Sequence, residues 1–173
     1  MLARRRGVTL IELSITIAVA AILIALAVPS FQIMLANAQI RTAAQALHDG
    51  LQLARTEAIR RNERVIFTKG SQSAWTVSVE SDASVVQARP STEGSTVASV
   101  AVSPNGATRL TFTSLGRVVA NTDGSASISQ LDVDVPASVV ATADSRELRI
   151  TITTGGAIRL CDPNVPAGEG MGC

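Results

Sequence analysis

The chain has 173 residues, of which 46% are hydrophobic and 17% are charged, and its formal net charge is +1. This length is sufficient for one compact domain and a terminal segment, but it is too short for a second hydrophobic core. The nearly balanced charge excludes a polycation that would bind nucleic acid through bulk charge alone.

The N-terminal segment is basic and then apolar. Arginines at 4–6 precede Gly7, and residues 8–28 suit a hydrocarbon environment except for one charge, Glu12. About 20 apolar residues cross a bilayer. A carboxylate in such a segment costs roughly 2.5–3.5 kcal/mol at mid-depth, so Glu12 needs a functional explanation.

Two interpretations of this segment leave part of it unexplained. A secretory signal peptide has an apolar stretch of about 7–15 residues, and cleavage after Ala25-Leu26-Ala27 would release a secreted β-rich domain. The stretch here is longer and contains Glu12. A permanent anchor fits the length, with its arginines in the cytoplasm by the positive-inside rule, but gives Glu12 no role.

A third interpretation uses all of these residues. It rests on the basic leader ending in Gly7, the sequence VTLIE from Val8 to Glu12, and the apolar run with Pro29 beyond it. In these features the segment resembles the class III signal of type IV pilins and of the pseudopilins of type II secretion. The resemblance implies that residues 1–7 are a leader cut off after Gly7 by prepilin peptidase. It further implies that Val8, which replaces the family's usual Phe, is N-methylated and begins a transmembrane and assembly helix.

The resemblance also implies a role for Glu12, the fifth residue after the cleavage site. Its carboxylate would lie about 6 Å along the helix from the Val8 amine, near the positive end of the helix dipole. In the pilin family this glutamate pairs with the N-terminal amine of a neighbouring subunit. Glu12 is therefore expected to set the register between subunits of a filament, as buried polar groups do in coiled coils.

The helix is predicted to continue to about Arg61 as an amphipathic half, residues 29–62. Pro29 lacks an N–H group and is expected to loosen its turn. Beyond it, apolar residues recur at three- and four-residue steps. These residues are Ile33, Ala36, Ile40, Ala43, Leu47, Leu51, Ala54 and Ala58. Their stripe must be covered by the rest of the chain.

Residues 63–173 are predicted to form a β-rich globular domain. Turn residues separate candidate strands at 64–69, 74–80, 84–88, 96–103, 108–114, 117–120, 126–135, 146–154 and 158–161. Asn105-Gly106 is typical of a two-residue hairpin, and residues 121–124 indicate another turn. One long helix followed by strands predicts an α+β fold in which the second half of the helix packs on an antiparallel sheet.

Two cysteines, Cys161 and Cys173, flank a tail rich in Pro and Gly. Their spacing is neither a CxxC redox motif nor a metal motif, and it favours a disulfide made outside the cytosol. Two independent buried thiols are the alternative.

Three downstream segments narrow the resemblance. The segments are LQLARTEAIRRNERVIF in the helix, FTSLGRVVAN in the strand region and GGAIRLCDP near the end. They resemble the GspH/FimT branch of the family, which contains minor pilins and minor pseudopilins. The cysteine pair favours the pilus side of this branch over the secretion side.

The sequence predicts no catalytic, metal or cofactor site. His48 is the only histidine, and no GxSxG, HExxH, P-loop or GxGxxG motif is present. Residues 121–127 lack the spacing of an EF-hand loop. Asp132 and Asp134 alternate with apolar residues, so a strand with one wet face explains them.

One candidate ligand is double-stranded DNA. Some FimT-type proteins bind DNA through a C-terminal G-R-x-R motif, and the matching residues 156–159 here read GAIR, with Ala157 in place of the first arginine. Loss of that charge should weaken binding and its salt dependence. A solvated strand arginine without a ligand is the alternative for Arg159.

The geometry of the hairpin decides where Arg159 points. A three-residue loop at 155–157 would set Arg159 opposite Thr153 and on the same outer face as Arg149. The two arginines would then lie about 13 Å apart along the sheet. Contact with DNA is expected to be weak and to depend little on base sequence.

Together these features predict a non-enzymatic minor pilin with a single pass through the inner membrane and a periplasmic C-terminal domain. It would assemble with other pilins at the tip or base of a type IV pilus. A GspH-type minor pseudopilin of a type II secretion system and a secreted domain with a cleaved signal peptide are the alternatives.

Overall fold

The computed structural model describes residues 8–93 and 95–173, and the first element of this part is a long helix. The predicted leader, residues 1–7, lies outside the described residues. Helix α1 extends from Leu10 to Arg61 and includes Pro29. Asn62 ends it in the left-handed conformation (φ 55°), which Asn tolerates better than most residues.

The two halves of α1 have different surroundings. From Leu10 to Leu35 the helix is exposed, apart from the half-buried Ile33. From Ala36 onward one face is buried, which confirms the predicted stripe. The buried residues are Ala36, Ile40, Ala43, Ala44, Ala46, Leu47, Gly50, Leu51, Ala54 and Ala58.

The strands lie close to their predicted positions. They are β1 (Val65–Lys69), β2 (Trp75–Val79), β3 (Val85–Arg89), β4 (Ser99–Ser103), β5 (Arg109–Phe112), β6 (Val118–Val119), β7 (Gln130–Asp134), β8 (Leu148–Ile152) and β9 (Ile158–Cys161). They form two sheets, with the orders β3-β2-β1-β5-β6 and β4-β7-β8-β9. All strand pairs are antiparallel, so the predicted α+β class is confirmed with two sheets in place of one.

The prediction of a hairpin at Asn105-Gly106 is wrong. The chain does turn there, with the Ala107 N–H donating to the Pro104 carbonyl at 3.0 Å. However, β4 pairs with β7, whereas β5 pairs with β1 and β6. A turn signal fixes the reversal of the chain, but the strand partners are chosen by burial of distant apolar faces. The predicted turn at 121–124 is present, closed by a bond from the Gly124 N–H to the Asn121 carbonyl.

The second half of α1 packs against both sheets. Gly50 marks the closest approach, because a Cβ added there would lie 2.7 Å from the ring of Trp75 and 3.0 Å from that of Phe67. The two rings stack with their centroids 6.2 Å apart. The absence of a side chain at Gly50 therefore lets the largest ring of the domain lie on the helix backbone.

Candidate assembly helix and arginine hairpin

The N-terminus of α1 is closed by a capping box. The Thr9 hydroxyl accepts the Glu12 N–H at 3.3 Å, and the Glu12 carboxylate accepts the Thr9 N–H at 3.5 Å. These bonds satisfy two backbone donors that a helix start leaves unpaired. The box was not predicted from the sequence, although its signature, Thr and Glu three residues apart, is present at residues 9–12.

The capping box stands at the start of a predominantly apolar surface. Glu12 is the only charged residue between Leu10 and Leu35. Its neighbours Leu10, Ile11 and Leu13 are all exposed. Part of α1 is long and apolar enough to cross a membrane, judged by length and composition, and no residue of that stretch is buried. The exposed half thus combines an uncovered apolar surface with one carboxylate at its end.

The β8–β9 hairpin differs from its predicted register. Arg159 lies opposite Thr151 and not opposite Thr153. The loop occupies residues 154–156, because the Thr153 N–H donates to the Ala157 carbonyl and the Thr153 hydroxyl accepts the Ala157 N–H. The Thr153 side chain therefore closes the loop one residue earlier than expected.

The shift changes the spacing of the two arginines but not their face. A slip of two residues keeps the alternation of a strand, so Arg159 and Arg149 still share one side of the sheet. Since Arg149 lies opposite Cys161, the two arginines are diagonal neighbours, whose Cα atoms are roughly 7–8 Å apart in such pairs. The predicted separation of about 13 Å is wrong.

Arg149 is engaged in an ion pair. Its Nε lies 2.6 Å from Oδ1 of Asp132 on the neighbouring strand, and Asp132 also accepts from the Gln130 amide at 2.7 Å. Both charged side chains are about one-third exposed or less. The positive charge of Arg149 is therefore largely balanced within the sheet.

Arg159 is exposed and braces the C-terminal tail. Its Nη2 donates to the Gly172 carbonyl at 2.7 Å. The predicted disulfide joins Cys161 to Cys173, and the Asp162 N–H donates to the Met171 carbonyl at 2.7 Å. Arg159 thus uses one of its five donors on a tail that the disulfide already holds.

The other polar residues singled out in the sequence lie apart from one another. His48 is on α1 with its Nδ1 3.5 Å from Asp49. Asp134 accepts the Val135 N–H and the Ser145 hydroxyl. Within residues 8–93 and 95–173, no group of three His, Cys, Asp or Glu side chains could hold a metal ion.

Comparisons with known proteins identify a family for this chain and solved structures with a similar fold. Residues 43–164 match the family model described as type II transport protein GspH, and residues 2–28 match the prokaryotic N-terminal methylation motif. The fold is similar to a crystal structure of the type IV minor pilin FimU from Pseudomonas aeruginosa, with 19% identity and a TM-score of 0.51 over 73% of this chain and 97% of that one. A second crystal form of FimU gives 19% identity and a TM-score of 0.47 over 74% and 92% of the two chains. No curated protein matches the chain significantly in sequence.

Proposed function

The chain belongs to the GspH family of pilin-like proteins, and from that premise we propose that it is a minor pilin of a type IV pilus. Pilins and pseudopilins are structural, non-enzymatic proteins, which agrees with the prediction of no enzyme activity. The fold shared with the minor pilin FimU and the disulfide-bonded tail support the pilus side. A GspH-type minor pseudopilin of a type II secretion system is the alternative.

Maturation follows the scheme of the methylation motif. Prepilin peptidase removes residues 1–7 after Gly7, and the new N-terminal residue, Val8, is methylated. Residues 8–28 then hold the protein in the inner membrane, and residues 63–173 lie in the periplasm. The match of residues 2–28 to the motif and the exposed apolar half of α1 support this scheme.

The observation that carries the proposal is the carboxylate of Glu12 in the capping box. After cleavage, the amine of Val8 immediately precedes the N-cap residue Thr9. Among the residues that the structure describes, the Glu12 carboxylate accepts one long hydrogen bond, 3.5 Å from the Thr9 N–H, so it retains acceptor capacity. A neighbouring subunit's N-terminal amine is a partner of the required charge, and such pairing assembles the protein with other pilins at the filament tip or base.

The intact mass of the mature chain, purified from membranes, tests this maturation. We expect a chain that begins with N-methylated Val8. A chain that begins at Val28 would indicate a cleaved secretory signal and would overturn the proposal. Detection in sheared pili supports the pilus assignment, whereas loss of protein secretion with normal pili in a deletion strain would favour the pseudopilin.

We further propose that the hairpin face contacts double-stranded DNA weakly and presents it for uptake. The observation in favour is Arg159, which is exposed and has donors left after its bond to Gly172. The ion pair between Arg149 and Asp132 limits the net charge, so binding should be weak. The remaining phosphate contact should weaken further as salt rises. Mobility shifts at low salt should detect a complex that Arg159→Ala weakens, and the absence of any complex would refute this role.

A further inference from the structure

Two turns from different sheets meet at one point of the surface. The Val118 N–H, after the β5–β6 turn, donates to the Thr154 carbonyl in the β8–β9 turn at 3.1 Å. A Cβ built on Gly156 would lie 1.8 Å from the Gly116 carbonyl oxygen and 3.4 Å from the Arg117 Cα. We call residues 113–117 and 153–157 the turn junction.

Arg117 is the exposed cation of the turn junction. Its backbone is fixed, since the Thr113 N–H donates to the Arg117 carbonyl at 2.8 Å and the Arg117 N–H donates to the Thr113 hydroxyl at 3.3 Å. Its guanidinium makes no hydrogen bond or ion pair with any residue that the structure describes. In this respect Arg117 differs from both Arg149 and Arg159, whose guanidinium groups are already engaged.

A second arginine, on α1, forms a hydrogen bond to the turn junction. The Nε of Arg55 on α1 donates to the Gly116 carbonyl at 3.1 Å, the same oxygen against which Gly156 is packed. Arg55 is half-buried and is a positioning residue. Its charge adds to that of Arg117, and neither arginine pairs with a carboxylate among the residues described.

We infer that Arg117, in the β5–β6 turn, contacts DNA phosphate at the turn junction. Its positive charge substitutes for the arginine that Ala157 replaces in the β8–β9 turn. This inference rests on the DNA binding proposed above. Ala157 is the last residue of the turn junction, is exposed and lies two residues before Arg159. A phosphate contact through an arginine whose backbone is fixed adds affinity without base specificity.

The experiment uses the full chain in neutral detergent and a fluorescent duplex of about 30 base pairs, with anisotropy measured from roughly 50 to 200 mM salt. Arg117→Ala should weaken binding several-fold and lower the slope of log K against log salt by about 0.9, the value for one phosphate. Arg117→Lys should retain most of the slope because the charge is kept.

Arg41→Ala is the matched control. Arg41 is exposed, makes no hydrogen bond or ion pair with any described residue, and lies about 21 Å along α1 from Arg55. The variant removes the same charge and should leave the slope unchanged. Equal effects of Arg117→Ala and Arg41→Ala, or none from either, would overturn the inference while DNA binding stood. Absence of binding by the unmodified chain would overturn both proposals. Unchanged melting temperatures would exclude unfolding as the cause of any loss.

Discussion

The two halves of α1 are equally helical but are covered in opposite ways. Leu47 in the second half is completely buried under the sheets, whereas Leu23 in the first half is 62% exposed. The second half alternates apolar and polar faces, and the first half is apolar on every side. A helix that is apolar all round needs cover on all sides, and the described residues of this chain bury no side chain between Leu10 and Leu35. The cover must therefore come from lipid or from other subunits.

The largest expected effect comes from truncating matched leucines in the two halves. Leu47→Ala should lower the free energy of unfolding by about 2–5 kcal/mol, because it leaves a cavity between α1 and the sheets. Leu23→Ala should change it by less than about 0.5 kcal/mol, as exposed substitutions do. Urea unfolding of the full chain in detergent measures both. Equal losses would show that the first half also packs within its own chain.

A smaller effect on the domain, but a large one on assembly, is expected at Glu12. Glu12→Ala should leave the unfolding of the β-rich domain unchanged and insert slightly better into membranes, while its incorporation into filaments falls. Incorporation is measured by immunoblotting of sheared filaments.

Glu12→Gln separates the two roles of this side chain. Glutamine serves in a capping box almost as well as glutamate, but it carries no charge to pair with an amine. We expect Glu12→Gln to assemble as poorly as Glu12→Ala. Normal assembly of the glutamine variant would show that capping, and not pairing between subunits, is what the first half requires.

The smallest effect concerns Glu57, near the end of the covered half. Hydrogen bonds from Arg60 and Arg61, each 2.7 Å from Oε2, lower the pKa of the Glu57 carboxyl from 4.5 to about 2. A lowered pKa stabilises the fold above the unfolded value near 4.5, and this stabilisation is lost as the pH falls toward 2. Exposure of both arginines limits it to roughly 1 kcal/mol or less.

Glu57→Gln should therefore be slightly less stable than the unmodified chain at pH 7, and the difference should vanish between pH 4.5 and 2. Urea midpoints at several pH values measure it. A difference that persisted at pH 2 would assign the effect to something other than the ionised carboxylate.

Features that depend on neighbouring residues were predictable, and features that depend on distant partners were not. The 3.6-residue period gave the end of α1 at Arg61, and alternation located the strands to within a few residues. Pairing of β4 with β7 was not predictable, because a local turn such as Asn105-Gly106 does not reveal which apolar face a strand will join. For the same reason the place of Arg117 next to the β8–β9 turn was not predictable. It depends on the contact between Gly116 and Gly156, which lie in turns of different sheets.

The functional predictions divide in the same way. The N-terminal methylation motif is a short local pattern, and it was identified from Gly7, Val8 and Glu12. The predicted hairpin register is wrong because the Ala157 N–H donates to the Thr153 hydroxyl and closes the loop at residues 154–156. The sequence alone does not single out Asp132 as the partner of Arg149, since strand order decides which carboxylate is adjacent.

The interlaced order of the strands has a consequence for how the protein folds. β4 lies between β3 and β5 in the sequence but belongs to the other sheet, and its Ser103 pairs with Gln130. β5 must return past β4 to reach β1, and β4 has no partner until β7 is available, so each sheet closes a loop before its contacts repay the lost entropy. The sheet of β1 can therefore form first, and a chain made only as far as β6 would leave β4 unpaired.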